Sequence, residues 1–85
     1  MSNILAVYDF GDSVADRYTV ITDEPDYSYG RETVGHMALS LSHDCDMPNG
    51  FSQWCSVLPG AYLGIQIRFD DLPERVQKHA LERLA

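Results

Sequence analysis

Apolar and polar residues alternate in three segments of the chain, and a fourth, NILAVYDF, is rich in β-branched and aromatic residues; both patterns predict strands. The clearest alternation is in LGIQIRF, where every second residue is apolar and Gly, Gln and Arg stand between. Such a strand is typical of an antiparallel sheet that is covered on one face only. The other three segments combine β-branched, aromatic or alternating apolar residues with turn residues nearby. The predicted strands are residues 3–10, 17–22, 36–43 and 63–69.

Two helices are also predicted. In the C-terminal segment, apolar residues recur on one side of a helix and charged residues occupy the other side. Asp71 stands three residues before Glu74, the spacing of a capping box, and Pro73 is tolerated only in a first helical turn. A short helix is predicted near residues 50–58, ended by Pro59. The apolar residues that define these helices are Val76, Ala80, Leu81 and Leu84 in the first, and Phe51, Trp54, Cys55 and Leu58 in the second.

The expected architecture is therefore α+β, with a small antiparallel sheet of about four strands and the C-terminal helix packed on one face. With 85 residues, of which 45% are hydrophobic, the chain can form one small core, and we expect residues 1–85 to be a single domain. No apolar run approaches the roughly 18–20 residues that cross a bilayer. The first residues lack the basic and apolar regions of a signal peptide, so a cytoplasmic protein is expected.

Negative charge is concentrated in the first part of the chain. The net charge is −7; the first 48 residues hold nine acids and two bases, whereas residues 49–85 hold four of each. A field of this sign repels phosphate, which argues against direct binding to nucleic acid or to an anionic membrane. It favours a basic protein surface as the partner. An acidic excess that serves solubility alone is the alternative interpretation.

The candidate partner-binding residues are acids of this region together with two tyrosines. Carboxylates a few ångströms apart could resemble a phosphate backbone and compete for a basic groove, provided that the connections around the second strand meet in space. Exposed tyrosine offers rigid apolar area with a polar tip, which suits recognition, although both tyrosines could instead fold back over the end of the sheet. The eight residues are Asp12, Asp16, Asp23, Glu24, Asp26, Tyr27, Tyr29 and Glu32.

Catalytic and metal-binding interpretations rest on the region from His43 to Cys55. This region contains potential metal ligands, but it lacks the final glutamate of a calcium loop and the paired cysteines of a zinc site. A small metal-dependent or hydrolytic module is therefore an alternative, and we expect no catalytic residue, metal or cofactor. Both cysteines are expected to be free thiols, although a disulfide between them is possible. The residues of this alternative are His43, Asp44, Cys45, Asp46 and Cys55.

Three blocks of the sequence resemble small proteins carried by bacteriophages and mobile elements. VYDFGDSVADRYTVI is similar to their opening, SLSHDCDMPNGFSQW to their serine-rich middle, and YLGIQIRFDDLPERVQ to their end. The chain departs from the pattern at Phe10 and Asp12, where asparagine and glycine are usual, so part of the acidic character belongs to this chain alone. The matching positions of the first block are Asp9, Gly11, Asp16, Arg17, Tyr18 and Thr19.

The resemblance implies no specific activity, but small acidic phage proteins of this size include inhibitors of host defence, such as anti-CRISPR proteins. The expected function is that of a phage-encoded protein, not an enzyme, that binds a host nucleic-acid-handling complex and occludes its basic groove. A further alternative is a self-associating accessory protein that pairs through a sheet edge or the region of Trp54. A monomer and a homodimer are both compatible with the sequence.

Overall fold

Five strands and one α-helix are present in the residues that the structure, a computed structural model, describes: 3–30, 32–43 and 52–85. The strands are β1 (Ile4–Asp9), β2 (Tyr18–Asp26), β3 (Gly35–Leu41), β4 (Ser52–Val57) and β5 (Ile65–Ile67), and a 3-10 turn at Phe69–Asp71 precedes helix α1 (Glu74–Leu84). They form one antiparallel sheet in the order β4-β3-β2-β1-β5. The α+β class is confirmed, with five strands rather than about four. In this described part of the chain, no helix is long and apolar enough to span a bilayer.

One face of the sheet packs against α1. Val7 pairs with Val20 and Val20 pairs with Leu39, so three aliphatic side chains lie side by side across the central strands. Val76 and Ala80, about one helical turn apart, are completely buried in the same cluster. Full burial of a valine or leucine side chain contributes roughly 1.5–3 kcal/mol relative to full exposure, so burial on this helix-covered face fixes the position of α1. The cluster comprises Val7, Tyr18, Val20, Leu39, Leu41, Leu72, Val76, Ala80 and Leu84.

Residues 52–57 form a strand, so the short helix predicted near residues 50–58 is wrong where the structure describes it. β4 pairs with β3 along its whole length, from Leu41 opposite Ser52 to His36 opposite Val57. A short apolar run with helical spacing can equally be a strand. Here these residues form the strand because they pair with the edge of β3. Residues 44–51, including Phe51, lie outside the described residues.

β2 continues beyond the predicted strand, through residues that the sequence indicated as a loop. Pairing with β3 resumes at Pro25, opposite His36, after an irregularity that begins at Ile21. Extra residues at this irregularity let β2 accept a proline without losing the register that buries its first half. A second irregularity lies between Ile4 and Ala6 in β1.

Helix α1 begins at Glu74, but the predicted capping box is not its cap. Asp71 belongs to the preceding 3-10 turn, where its carboxylate accepts a hydrogen bond of 2.9 Å from the backbone N–H of Arg68. The side-chain amide of Gln77 instead donates to the carbonyl oxygen of Leu72, at 2.7 Å. These contacts tie the buried Leu72 to the first turn of α1 and so fix where the helix meets the sheet.

Candidate interaction surface

The eight predicted partner-binding residues divide between two ends of the sheet. Asp12 and Asp16 lie in the connection that precedes β2, whereas the other six follow or end that strand. From Asp16 to Asp26 the chain advances ten residues in largely extended form, or about 25–30 Å. The longest dimension of the molecule is 38 Å. The single acidic surface expected from the sequence is therefore divided into a β1–β2 end and a β2–β3 end.

At the β1–β2 end, Arg17 forms ion pairs with two carboxylates. Its Nε lies 2.7 Å from Oδ1 of Asp9, and its Nη2 lies 3.0 Å from Oδ2 of the same residue. Its Nη1 lies 2.5 Å from Oδ1 of Asp12. Asp9 Oδ1 also accepts a hydrogen bond of 2.9 Å from the backbone N–H of Gly11. A bidentate arginine–carboxylate pair of this kind closes the connection between β1 and β2.

The ionisation of this cluster follows from its contacts. The hydrogen bond from Arg17 lowers the pKa of Asp9, partial burial opposes this effect, and the Gly11 N–H reinforces it. The same pair raises the pKa of Arg17. Burial raises the pKa of Tyr18, whose ring centroid lies 5.1 Å from the guanidinium carbon and whose hydroxyl lies 3.2 Å from Nδ1 of His43. Charges at this end are thus engaged within the molecule.

Asp16 is also engaged internally. The side-chain amide of Gln53, on β4, donates a hydrogen bond of 3.2 Å to Oδ2 of Asp16. Gln53 lies opposite Ser40 on the face of the sheet away from α1, which we call the open face. This hydrogen bond joins the connection between β1 and β2 to β4, at the edge of the sheet.

At the β2–β3 end, two carboxylates are held by neutral donors. Asp23 accepts two hydrogen bonds of 3.0 Å from Asn3, one from the backbone N–H and one from the side-chain amide. Asp26 accepts a hydrogen bond from the hydroxyl of Ser56 and another, of 3.0 Å, from the backbone N–H of Ser28. The Ser56 hydroxyl is the largest cause of the lowered pKa of Asp26. Neutral donors orient these carboxylates and leave their negative charge in place.

Gly35 makes the contact between Asp26 and Ser56 possible. Gly35 lies on the strand between these two residues and pairs with Asp26. Because it has no side chain, the carboxylate can cross the intervening strand. The ring of Tyr29 occupies the same opening: a Cβ atom at Gly35 would lie 2.5 Å from a ring carbon of Tyr29. Tyr29 thus folds back over the sheet while remaining 42% exposed, whereas Tyr27 projects, with 69% exposure.

The net charge of the β2–β3 end is strongly negative. Besides Asp23 and Asp26, it includes the exposed side chains of Glu24 and Glu32. Arg31 is the one basic residue of the connection by sequence, and it lies outside the described residues. We call Asp23, Glu24, Asp26, Tyr27, Tyr29 and Glu32 the acidic tip. It combines four carboxylates with one projecting and one half-exposed tyrosine.

Lowering the pH should decrease the free energy of unfolding, because Asp9 and Asp26 become protonated. Both have a folded-state pKa below the ordinary value of 3.8, so their stabilising effect is present above about pH 3.8 and is lost as the pH falls through the folded-state pKa. We expect the free energy of unfolding, measured by urea titration, to fall between about pH 5 and pH 2. Asp9→Asn and Asp26→Asn should each be less stable than the wild type at pH 7 and should each flatten this decline. A decline as steep in both variants as in the wild type would contradict the assignment.

Two residues of the metal-binding alternative, His43 and Cys55, lie within the described part of the chain. Cys55 lies opposite Ala38 on the open face, whereas His43 follows the end of β3 and contacts Tyr18 in the core. Within residues 3–30, 32–43 and 52–85, no group of three or more His, Cys, Asp or Glu side chains could hold a metal ion. Cys55 carries a free thiol, 3.3 Å from the hydroxyl of Ser40. Asp44, Cys45 and Asp46 lie outside the described residues.

Sequence reasoning missed the residues that orient the acids. Asn3, Gln53 and Ser56 are polar residues without a local motif, and each reaches a carboxylate at least 20 positions away along the chain. Strand pairing alone brings them together, so no local signal could have identified them.

Comparison with known proteins adds no assignment: no family model matches the chain, and no curated protein or solved structure is detectably similar to it.

Proposed function

We propose that this chain is a binding protein rather than an enzyme, and that its acidic tip docks on a basic, nucleic-acid-binding surface of a host complex. The observation that carries the proposal is the combination of four carboxylates with the projecting side chain of Tyr27 at one end of the sheet. In its most specific form, the protein is a phage-encoded inhibitor of anti-CRISPR type that acts in the bacterial cytoplasm. Asp12 is left out of the interface because it is ion-paired with Arg17, and Asp16 because it lies beyond the opposite end of β2.

The proposed mechanism is steric and electrostatic occlusion. The anionic tip attracts Lys and Arg side chains that otherwise hold phosphate, and such steering raises association rates by roughly 10–10³, depending on salt. Hydrogen bonds from Asn3 and Ser56 keep two carboxylates oriented before binding, which lowers the entropic cost of docking. Tyr27 adds rigid apolar contact to an interface that charge alone would leave weak. Nucleic acid and the tip then compete for one groove.

Glu24→Lys/Glu32→Lys tests the tip while keeping the hydrogen bonds from Asn3 to Asp23 and from Ser56 to Asp26. Each Glu→Lys change adds two charges, so the double variant goes from −7 to −3. The matched control is Glu74→Lys/Glu82→Lys on α1, which has the same net charge. We expect the tip variant, but not the control, to lose at least about 10-fold in affinity.

The measurement is displacement of labelled target DNA from a panel of purified CRISPR effector complexes, with binding followed by interferometry at low and high salt. Inhibition by the wild type that weakens with salt and is lost in the tip variant supports the proposal. Equal loss in the control would mean that diffuse net charge acts instead of the tip. If no effector is bound at about 10 µM protein, the anti-CRISPR form of the proposal is wrong.

A further inference from the structure

The turn at the acidic tip is held only weakly by its own backbone. Ser28 and Tyr29 are its central residues, and the backbone N–H of Gly30 donates to the carbonyl oxygen of Tyr27 at 3.4 Å. Backbone hydrogen bonds in proteins are usually about 2.7–3.2 Å long, so this one is weak. Residues 27–30 are all exposed. Exposed turns with weak hydrogen bonds open easily, so the order of this turn depends on side-chain contacts with the sheet.

Two side chains connect the turn to the sheet beside Gly35. The carboxylate of Asp26 accepts hydrogen bonds from the backbone N–H of Ser28, at 3.0 Å, and from the hydroxyl of Ser56 on β4. The ring of Tyr29 lies against Gly35, since a Cβ atom there would be 2.5 Å and 2.9 Å from two carbons of the ring. Non-bonded carbon atoms do not approach each other so closely. The ring therefore occupies a space that exists only because residue 35 has no side chain.

Tyr27 and Tyr29 lie two positions apart in this turn but differ in what fixes them. The ring of Tyr29 packs on the backbone of β3, whereas the side chain of Tyr27 is 69% exposed. The direction of the Tyr27 side chain is thus set by the backbone of the turn. The contact that holds the turn also determines where Tyr27 projects.

We propose that Tyr29 is a positioning residue: its ring, seated on Gly35, holds residues 27–30 in one conformation and so fixes the direction in which Tyr27 projects. The consequence for docking rests on the proposed function, in which Tyr27 contacts the partner. A turn that is already ordered loses less conformational freedom on binding, so the packing of Tyr29 on Gly35 raises affinity without a contact between Tyr29 and the partner. The sequence indicated one role for both tyrosines, whereas their surroundings assign them different roles.

Nuclear magnetic resonance of the free protein tests this role without a partner. In the wild type, the backbone amide order parameters of Ser28 and Gly30 should be about 0.85, the value of a rigid backbone. In Tyr29→Ala they should fall below about 0.6, the range of a flexible segment. Tyr29→Phe keeps the ring and should match the wild type. The matched control is Tyr27→Ala, which removes the other tyrosine of the turn and should leave the order parameters unchanged.

The ionisation of Asp26 gives a second readout, which a general loss of stability would not move. The Ser56 hydroxyl is the largest cause of the lowered pKa of Asp26, and the Ser28 N–H is the next. When the turn loosens in Tyr29→Ala, this N–H leaves the carboxylate, so the pKa of Asp26 should rise toward 3.8. The pKa, measured from the chemical shift of the carboxyl carbon, should be unchanged in Tyr27→Ala and Tyr29→Phe.

Gly35→Ala tests the same contact from the side of the sheet. The added methyl group takes the space of the ring, so Tyr29 is displaced although its side chain is intact. We expect the same fall in the order parameters as in Tyr29→Ala, and no further fall in the double variant, because both substitutions remove one contact. Urea denaturation shows which variants are folded, and Tyr29→Ala is decisive by itself if Gly35→Ala does not fold. Wild-type order parameters in Tyr29→Ala, or in a folded Gly35→Ala variant, would overturn the proposal.

The displacement assay then separates positioning from contact. We expect Tyr27→Ala and Tyr29→Ala each to weaken inhibition at least about 5-fold, and Tyr29→Phe to match the wild type. In a Tyr27→Ala background, Tyr29→Ala should cost little more, because no Tyr27 side chain is left to position. Fully additive losses would mean that Tyr29 itself contacts the partner, which contradicts the positioning role. If no effector is bound, the anti-CRISPR form of the proposed function is wrong, whereas the order parameters still decide whether Tyr29 holds the turn.

Discussion

Replacing Gly64 with alanine is expected to lower the free energy of unfolding by about 3–4 kcal/mol, the largest effect of any substitution proposed for this protein. Gly64 has a φ of 106°, in which a side chain costs about 1–2 kcal/mol. A Cβ atom would also lie 2.6 Å from Cα of Phe10 and 2.7 Å from the carbonyl carbon of Asp9. These are backbone atoms of the neighbouring strand end, which cannot move aside without breaking the pairing of β1 with β5.

Gly60→Ala is the control that separates strain from contact. Gly60 also has a positive φ, 82°, but a Cβ atom there meets nothing within 4 Å. We expect it to lose about 1 kcal/mol, from backbone strain alone. Urea denaturation of both variants at pH 7 gives the two free energies of unfolding directly. Similar losses in the two variants would show that the approach of Gly64 to β1 is unimportant for stability.

The second large effect is expected at Arg17, where alanine should lower the free energy of unfolding, because hydrogen bonds between charged groups contribute more than neutral ones. The substitution leaves the carboxylate of Asp9, whose side chain is 22% exposed, without its bidentate partner. It also removes the cation over the ring of Tyr18 and the partner of Asp12. The pKa of Asp9 should rise toward its ordinary value, so the variant should lose stability less steeply than the wild type as the pH falls below about 4.

Arg68→Ala provides the comparison. Arg68 and Asp70 are 3.5 Å apart, and their side chains are 82% and 77% exposed, so solvent screens their interaction. The expected loss is below about 0.5 kcal/mol. Thermal and urea unfolding of the two alanine variants would measure the difference. An equally small loss at Arg17 would mean that the Asp9–Arg17 pair does not stabilise the connection between β1 and β2.

Both predictions concern residues with a role in the fold. Asp9, Gly11 and Arg17 form the ion-pair cluster at the β1–β2 end, and Gly64 allows β5 to approach β1. These positions thus have a structural explanation that requires no ligand.

Local pattern was sufficient to predict much of the fold. β-Branched and aromatic residues identified β1, alternation identified the first half of β2, β3 and the strand around Ile65, and helical spacing identified α1. These predictions succeeded because a strand or helix with one buried face repeats its apolar residues at a period that a short window of sequence contains. The burial of Leu39 and Leu41 in the core follows from the two-residue period of β3.

Residues 52–57 show where local pattern fails. Their apolar positions fit a helix and a strand equally, and pairing with β3 selects the strand. Pro25 is a similar case, since an irregularity in β2 lets pairing continue past a residue that indicated a loop. Both outcomes depend on hydrogen bonds with a neighbouring strand, which no short stretch of sequence records.

What the sequence determined by itself is the amount and sign of charge, the periods of its elements and the α+β class, because each depends on nearby residues alone. Tertiary structure decided how the charge is distributed. β2 holds Asp16 and Asp26 about 25–30 Å apart, although they are ten positions apart in the chain, because a strand extends by about 3.3 Å per residue. Pairing across strands brings Arg17 to Asp9 and Ser56 to Asp26, and those contacts leave the tip at the β2–β3 end as the candidate surface.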